Sequence, residues 1–279
     1  MIFKGKFMQK VFSLTNKYLI LLTPLLLYSL LSSITLATSV IGGKLANMLF
    51  AILLSILMAA AFISGWFNMI KQIFAGGYDD EPNSLIKEFP SGVGEYFLPS
   101  LGVVINICLF GLLMLGLTLY LGTQIIGNIG VEMNALAKAV ESAATLRAFI
   151  HSLTPEQMVK IGHWNVLMFI NIALTYFLLV LYIPTIFYKT KNPFKAFFLS
   201  LKDIFSKKIV MTIGVFLIIF VGNFVFSILS AIFAESGFMH FLVTISNFYF
   251  ITLMAVGLFY YYNVQFVTKP IGQNIDVEI

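Results

Sequence analysis

Few residues of this chain have types and spacings that could do chemistry. His151, Glu156 and His163 lie close together in sequence, and zinc accepts imidazole and carboxylate ligands. No pair of histidines is spaced one helical turn apart, which is the arrangement that presents two ligands on one helix face. His240, the third histidine, stands alone. We therefore expect no metal site and no cofactor.

Hydrolytic and phosphate chemistry have equally weak support. A hydrolase inside a membrane needs a serine with a paired base, or carboxylates at membrane depth. The Gly-Gly at 76–77 lacks the Lys-Ser/Thr that completes a phosphate-binding loop. The acidic trio at 79–81 has the composition of a calcium site but not its ligand spacing. The sequence thus predicts no catalytic residues, and we expect that the protein is not an enzyme.

The composition decides the class of the protein. Charged residues make up 10% of the 279 residues and apolar residues make up 59%, whereas a typical soluble domain is about 25% charged. A water-soluble fold could not cover its exterior with so few charges. This excludes a soluble enzyme, a disordered chain and a nucleic-acid-binding domain, despite the net charge of +5. The sequence predicts an all-α integral membrane protein.

Six apolar segments are long enough to cross a bilayer. A hydrocarbon core about 30 Å thick needs roughly 20 apolar residues in a helix. We interpret the first segment as a retained helix, because it is longer than the apolar part of a signal peptide. The chain is then a single six-helix transmembrane domain over residues 1–279. The predicted spans are 18–38, 47–67, 97–125, 164–188, 209–233 and 239–262.

The lysines and arginines predict the orientation. With six spans, both termini lie on one side, and that side carries 13 of the 17 Lys and Arg residues. Positive charge concentrates on the cytoplasmic side of membrane proteins. We therefore predict a multi-pass protein of the cell's inner (cytoplasmic) membrane with both termini in the cytoplasm. Trp66 and Trp164 would lie near the inner and outer interfaces.

A short amphipathic segment precedes every inward-to-outward span. These segments are 7–12, 85–89 and 201–205. Each has apolar side chains on one face and lysine on the other, which is typical of a helix lying in the interface. The third has a clear start, with Asn192 as N-cap and Pro193 at the first helical position. The pattern predicts three transmembrane hairpins, each preceded by an interfacial amphipathic helix. Either duplication of one unit or chance similarity of apolar segments could explain the repetition.

The connection over 128–163 is the only sizeable segment predicted outside the membrane. Its apolar residues recur at steps of three and four, which indicates an amphipathic helix. Thr154 and Gln157 then form the pattern of a capping box that starts a new helix. The segment could be a lid or a partner surface, or a helix resting on the outer ends of the bundle. The apolar positions are Met133, Leu136, Val140, Ala143, Leu146, Ile150 and Leu153.

Asparagine supplies the polarity inside the spans, since no charged residue lies in the centre of any of them. With 1.5 Å rise per residue, we expect two of the four asparagines, Asn106 and Asn247, at mid-membrane depth. Buried amides avoid lipid, so these side chains should point inward. They could line a polar pocket that opens outward, or simply join helices. The candidate polar interior is Asn106, Asn171, Asn223 and Asn247.

The connection between the fourth and fifth spans is strongly basic. Six lysines alternate with phenylalanines there, which suits an anionic inner leaflet. Orientation by itself would require part of this charge, so specific lipid recognition and simple orientation both remain open. The candidate anionic-lipid contacts are Lys189, Lys191, Lys195, Lys202, Lys207 and Lys208.

Two stretches resemble a known family. Residues 196–202 resemble an interfacial "A-x-x-x-S" helix, and 260–265 with 272–278 resemble a closing "Y-Y-D-L-R … E-G … D-L-E". Both are similar to the membrane domain associated with glycerophosphodiester phosphodiesterases and to the related YciC-like six-span proteins. Asn263 and Gln265 depart from the pattern, where the family has Asp and Arg. The resemblance implies a six-span architecture, and the connections are too short to contain the soluble phosphodiesterase of some members.

These observations predict a polytopic membrane protein without an enzymatic signature. We expect a role in membrane organisation or homeostasis, or as a subunit beside a protein partner or in a homo-oligomer. Its expected partners are membrane lipids, with anionic inner-leaflet lipids as candidates, and no nucleic acid. The alternative is a transporter or permease for a neutral or lipid-like substrate, which would require a cavity reaching membrane depth.

Overall fold

The computed structural model describes residues 5–42, 45–76, 81–131, 134, 139 and 142–267. These residues are almost entirely helical and contain no β-strand, so the predicted all-α class is confirmed. The acidic pair at 79–80, the closing residues 268–279 and several amphipathic positions of the outer connection lie outside the described residues. So do Lys4, Lys44 and Lys138.

Six of the described helical segments are long and apolar enough to cross a membrane. They coincide with the six predicted spans, so the multi-pass class is supported. The helices are α1 (Gly5–Lys17), α2 (Leu22–Gly42), α3 (Leu45–Ala75), α4 (Glu88–Ile125), α5 (Ala143–Ser152), α6 (Pro155–Leu179), α7 (Tyr182–Tyr188), α8 (Pro193–Ile204), α9 (Ile209–Ile232) and α10 (Gly237–Phe266), with 3₁₀ turns at Leu19–Leu21 and Pro82–Lys87.

The chain divides into two compact units, one of Met1–Ile107 with Leu178–Ile279 and one of Cys108–Phe177. In the first unit α2 packs against α3 and α9 packs against α10, as two of the predicted hairpins require. Helix α10 lies at the centre, because its C-terminal half is buried and it also contacts α1, α2, α3 and α7.

Aromatic side chains fill the core of the first unit. The rings of Phe67 and Phe259 are stacked with their centroids 5.3 Å apart, and Phe187 packs against both. Trp66 is also buried, and its indole N–H donates to the carbonyl of Leu21 at 2.9 Å. This tryptophan therefore packs inside the protein. Its position near the inner interface stays a prediction.

Helices α3 and α4 approach closely through glycine. A Cβ on Gly65 would lie 2.6 Å from the ring of Phe89, and one on Gly92 would lie 2.5 Å from the carbonyl oxygen of Ser64. Small residues allow such contacts between membrane helices. The contact surrounds Asn68, whose amide nitrogen donates to the carbonyl of Glu88 at 3.0 Å.

Two of the three predicted interfacial segments are separate helices, α1 and α8, and the second is not. The 3₁₀ turn Pro82–Lys87 continues directly into α4, which has 38 residues. A helix of this length extends about 57 Å, well beyond the hydrocarbon thickness. The interfacial segment and the third span are therefore one continuous element, which local amphipathicity could not reveal.

The second unit contains the outer connection. The predicted capping box is present, since the Gln157 amide N–H donates to Thr154 Oγ1 at 3.2 Å and the Thr154 N–H donates to Gln157 Oε1 at 3.0 Å. The Trp164 indole packs over Gly122 and donates to the carbonyl of Gly127 at 3.3 Å. These contacts join α6 to the C-terminal end of α4 within this unit.

Candidate functional site

Helix α8 begins where the sequence predicts. Asn192 is the N-cap, and its side-chain oxygen accepts a hydrogen bond from the backbone N–H of Lys195 at 3.0 Å. Pro193 occupies the first helical position, where the missing N–H costs nothing. The start of this helix is therefore determined by local chemistry.

The two faces of α8 differ sharply. Its inner face is fully buried and carries Ala196, Ser200 and Ile204. The opposite face carries large aromatic side chains that are mostly exposed, which would be unfavourable in water but suits the acyl boundary of a membrane. These are Phe194 at 65%, Phe198 at 68% and Phe205, just after the helix, at 61% exposed.

Three of the six candidate lysines extend from this exposed face. Lys195 and Lys202 lie on α8 itself and Lys207 lies in the turn that follows, all three exposed. Within the described part of the chain, none of the three makes an ion pair or a side-chain hydrogen bond. Lysine heads beside exposed phenylalanines form the pattern that binds an anionic membrane surface. We call Phe194, Lys195, Phe198, Lys202, Phe205 and Lys207 the α8 surface.

The other three candidate lysines are held by the protein. Their ammonium groups lie against carboxylate or carbonyl oxygens of the first unit, so these oxygens partly neutralise the lysine charges. The partners are Asp203 for Lys189 at 2.8 Å, Glu95 for Lys191 at 2.9 Å, and the carbonyl of Gln265 for Lys208.

Asp203 is the centre of a hydrogen-bonded cluster that fixes α8. Lys189 Nζ lies within 2.9 Å of both carboxylate oxygens, and the Tyr262 hydroxyl donates to Oδ2 at 2.8 Å. The Thr185 hydroxyl lies 3.0 Å from the same phenol. The cluster joins α7, α8 and the end of α10. Asp203 directly follows the 196–202 stretch and Tyr262 belongs to 260–265, the two stretches that carry the family resemblance.

A second set of contacts holds the N-terminus of α8 against α4. The Asn106 amide donates to the Tyr182 hydroxyl at 2.9 Å, and this hydroxyl donates to the carbonyl of Pro193 at 3.1 Å. The Pro193 ring packs against Gly102. Asn106 is thus close to the start of α8. Helix α4 starts nine residues before the predicted span, and the depth of Asn106 in the membrane stays a prediction.

A tyrosine between two lysines completes the same region. Lys71 Nζ donates to the Tyr96 hydroxyl at 2.7 Å. Both Lys71 and Lys191 lie over the Tyr96 ring at 5.2 Å from its centroid. Cation–π attraction of this kind is worth about 0.5–1 kcal/mol at partly exposed sites. Together with the Lys191–Glu95 ion pair, these contacts hold the loop before α8 against α3 and α4.

The other candidate asparagines have different partners. The Asn223 amide donates to the Ile219 carbonyl of its own helix at 2.8 Å. Asn247 Oδ1 is buried and has no hydrogen-bond partner among the described residues. In the second unit, Asn171 Oδ1 accepts from Thr175 on the same helix at 3.5 Å. In the first unit, no hydrogen bond between described residues joins Asn106, Asn223 and Asn247 to one another.

The histidines and Glu156 were the metal ligands that the sequence offered. Glu156 forms an ion pair with Lys160 at 2.8 Å on the first turns of α6. Over the ranges that the structure describes, no three His, Cys, Asp or Glu side chains are placed to hold a metal ion.

Sequence reasoning did not identify Asp203, Glu95, Tyr96 or Tyr262 as site residues. One signal was available, because Asp203 is the only acidic residue among the six lysines between 189 and 208. A single carboxylate in such a segment indicates a specific internal partner. Glu95 and Tyr96 gave no comparable signal, since their partners lie far away in sequence.

Comparisons with known proteins add nothing to this geometry. No family model, curated protein or solved structure matches the chain.

Proposed function

We propose that the chain is a non-enzymatic membrane-organising protein of the cytoplasmic membrane, whose α8 surface binds anionic lipids of the inner leaflet. The single observation that carries this proposal is the α8 surface, in which exposed phenylalanines lie beside three lysines that have no ion pair with any residue the structure describes. The Asp203 cluster supports the proposal, because these hydrogen bonds hold α8, which carries the exposed phenylalanines, in a fixed position. Both termini then lie in the cytoplasm, as the distribution of Lys and Arg predicts.

Lipid-retention experiments test the proposal through the three exposed lysines. Each lysine near an anionic surface contributes about 1 kcal/mol. The triple variant Lys195→Gln, Lys202→Gln, Lys207→Gln should therefore lower the retention of phosphatidylglycerol at least about ten-fold. Native mass spectrometry of the gently solubilised full chain measures the lipid that stays bound, with phosphatidylcholine as the uncharged reference.

A charge-matched control separates the α8 surface from net charge. The variant Lys87→Gln, Arg147→Gln, Lys160→Gln removes three exposed or partly exposed positive charges elsewhere and should retain phosphatidylglycerol as the natural sequence does. Equal loss in both triple variants would mean that overall charge, and not this surface, attracts the lipid.

The predicted alternative, a permease for a neutral or lipid-like substrate, has less support. Asn106 is engaged with Tyr182, and Asn171 and Asn223 are engaged within their own helices, so three of the four amides already have structural partners. We also propose kinship with the YciC-like six-span proteins, supported by the hydrogen bond between Tyr262 of the second resembling stretch and Asp203, which directly follows the first. Transport of a solute by the purified chain in liposomes would favour the permease.

A further inference from the structure

An apolar groove of about 530 Å³ lies in the first unit, between α1 and α2 on one side and α9 and α10 on the other. Its volume is within the range of small-ligand sites, roughly 300–1,000 Å³. It is separate from the α8 surface. Its apolar walls are Phe12, Leu22, Phe226, Ile245, Phe250 and Leu253.

One end of the groove is polar and lies against α1, a helix that carries exposed lysines. The Tyr249 hydroxyl, which lines the groove, donates to Asn16 Oδ1 at 2.7 Å, and Asn16 lies on the exposed side of α1. Lys10 and Lys17 are also exposed on this helix. No acidic residue occurs in Gly5–Lys17. The rest of the groove is lined mainly by apolar side chains of α1, α2, α9 and α10.

We propose that this groove binds one acyl chain of an anionic phospholipid, with the phosphate beside α1. An acyl chain matches the apolar walls, whereas a polar solute would leave its hydrogen-bonding groups unsatisfied there. The positive charge of α1 favours an anionic headgroup over a zwitterionic one. The aromatic walls hold the chain by close packing, because transfer from bilayer to groove brings no hydrophobic gain.

Photo-crosslinking tests the site with the full chain in nanodiscs. The probe is phosphatidylglycerol that carries a diazirine in one acyl chain, and peptide mass spectrometry locates the adducts. We expect adducts to concentrate on Phe226 and on residues 245–253. Ser246 is exposed and lines the groove, so Ser246→Trp should fill it and lower this labelling at least about five-fold. Labelling spread evenly over the lipid-facing helices would overturn the proposal.

The matched control is Ser227→Trp, an exposed serine of α9 beside Phe226 that does not line the groove. It should label as the natural sequence does, and equal loss in both variants would overturn the proposal.

The natural sequence gives a test that needs no variant. Phosphatidylcholine with the same diazirine chain should label the groove less, and Lys10→Gln with Lys17→Gln should remove the difference. Equal labelling by both lipids in the natural sequence would refute the anionic headgroup.

This site and the proposed α8 function can fail independently. The triple lysine variant of the α8 surface should leave groove labelling unchanged. Loss of groove labelling in that variant would overturn the claim of a separate site.

Discussion

At the residue scale, one carboxylate determines how the α8 surface is presented. Asp203 accepts hydrogen bonds from Lys189 and Tyr262, and its side chain is only 13% exposed. The ion pair therefore lies in a partly desolvated place, where a missing partner costs more than at an open surface. The lysines that carry the proposed function are a different set, and they make no such contacts. Adjacent lysines of the same segment thus have opposite roles.

We expect Asp203→Ala to lower the free energy of unfolding by about 2 kcal/mol, because it leaves a largely buried ammonium and a phenol without their acceptor. Unfolding in detergent followed by circular dichroism measures the change. The control is Glu156→Ala, which breaks the exposed pair with Lys160 and should leave the unfolding midpoint unchanged. An unchanged midpoint in Asp203→Ala would show that the cluster does not fasten α8.

At the element scale, close helix contacts depend on single glycines. Gly92 lies buried against the Ser64 carbonyl and Asn68. The backbone and a side chain of α3 therefore occupy the space that a Cβ on Gly92 would need. Gly94, two residues further along α4, is exposed and has nothing within 4 Å of an added Cβ. The two glycines belong to one helix, but only one of them allows α3 and α4 to approach.

Gly92→Ala should therefore destabilise the protein by about 1–3 kcal/mol, the usual cost of overpacking a well-packed contact. Gly94→Ala should be neutral or stabilising by up to about 1 kcal/mol, since alanine is the better helix former. Unfolding midpoints of the two variants in the same detergent test this. Equal stability of the two variants would contradict the α3–α4 contact.

At the scale of the whole molecule, the distribution of charge predicts which side of the membrane α8 faces. In the predicted topology, lysine and arginine concentrate on the side that also carries both chain ends. The α8 surface can bind the anionic inner leaflet only in this orientation. Orientation and proposed function are therefore linked.

Cysteine accessibility tests the orientation. In a Cys108→Ser background, Gln9→Cys on exposed α1 and Ser152→Cys at the end of α5 provide one thiol on each predicted side. An impermeant thiol reagent added to intact cells should label only the Ser152→Cys protein. After the cells are opened, it should label both. Labelling of Gln9→Cys in intact cells would reverse the orientation and separate α8 from the inner leaflet.

The sequence by itself determined the class, the number of long apolar helices and the start of α8. Inside hydrocarbon every backbone N–H and C=O must bond within its own segment, so an apolar run of sufficient length is helical whatever surrounds it. The Asn192 cap is equally local, because donor and acceptor lie three residues apart. These features were predictable since each depends on residues close together in the chain.

Only the tertiary structure decided which lysines are paired, where Asn106 lies and where a groove forms. Each depends on residues distant in sequence, such as Asp203 with Tyr262 or Asn16 with Tyr249. Hydropathy is nearly uniform around these helices, so periodicity does not reveal which face meets which neighbour. Side-chain shape and hydrogen bonding between helices make that choice, and they act only once the helices have packed.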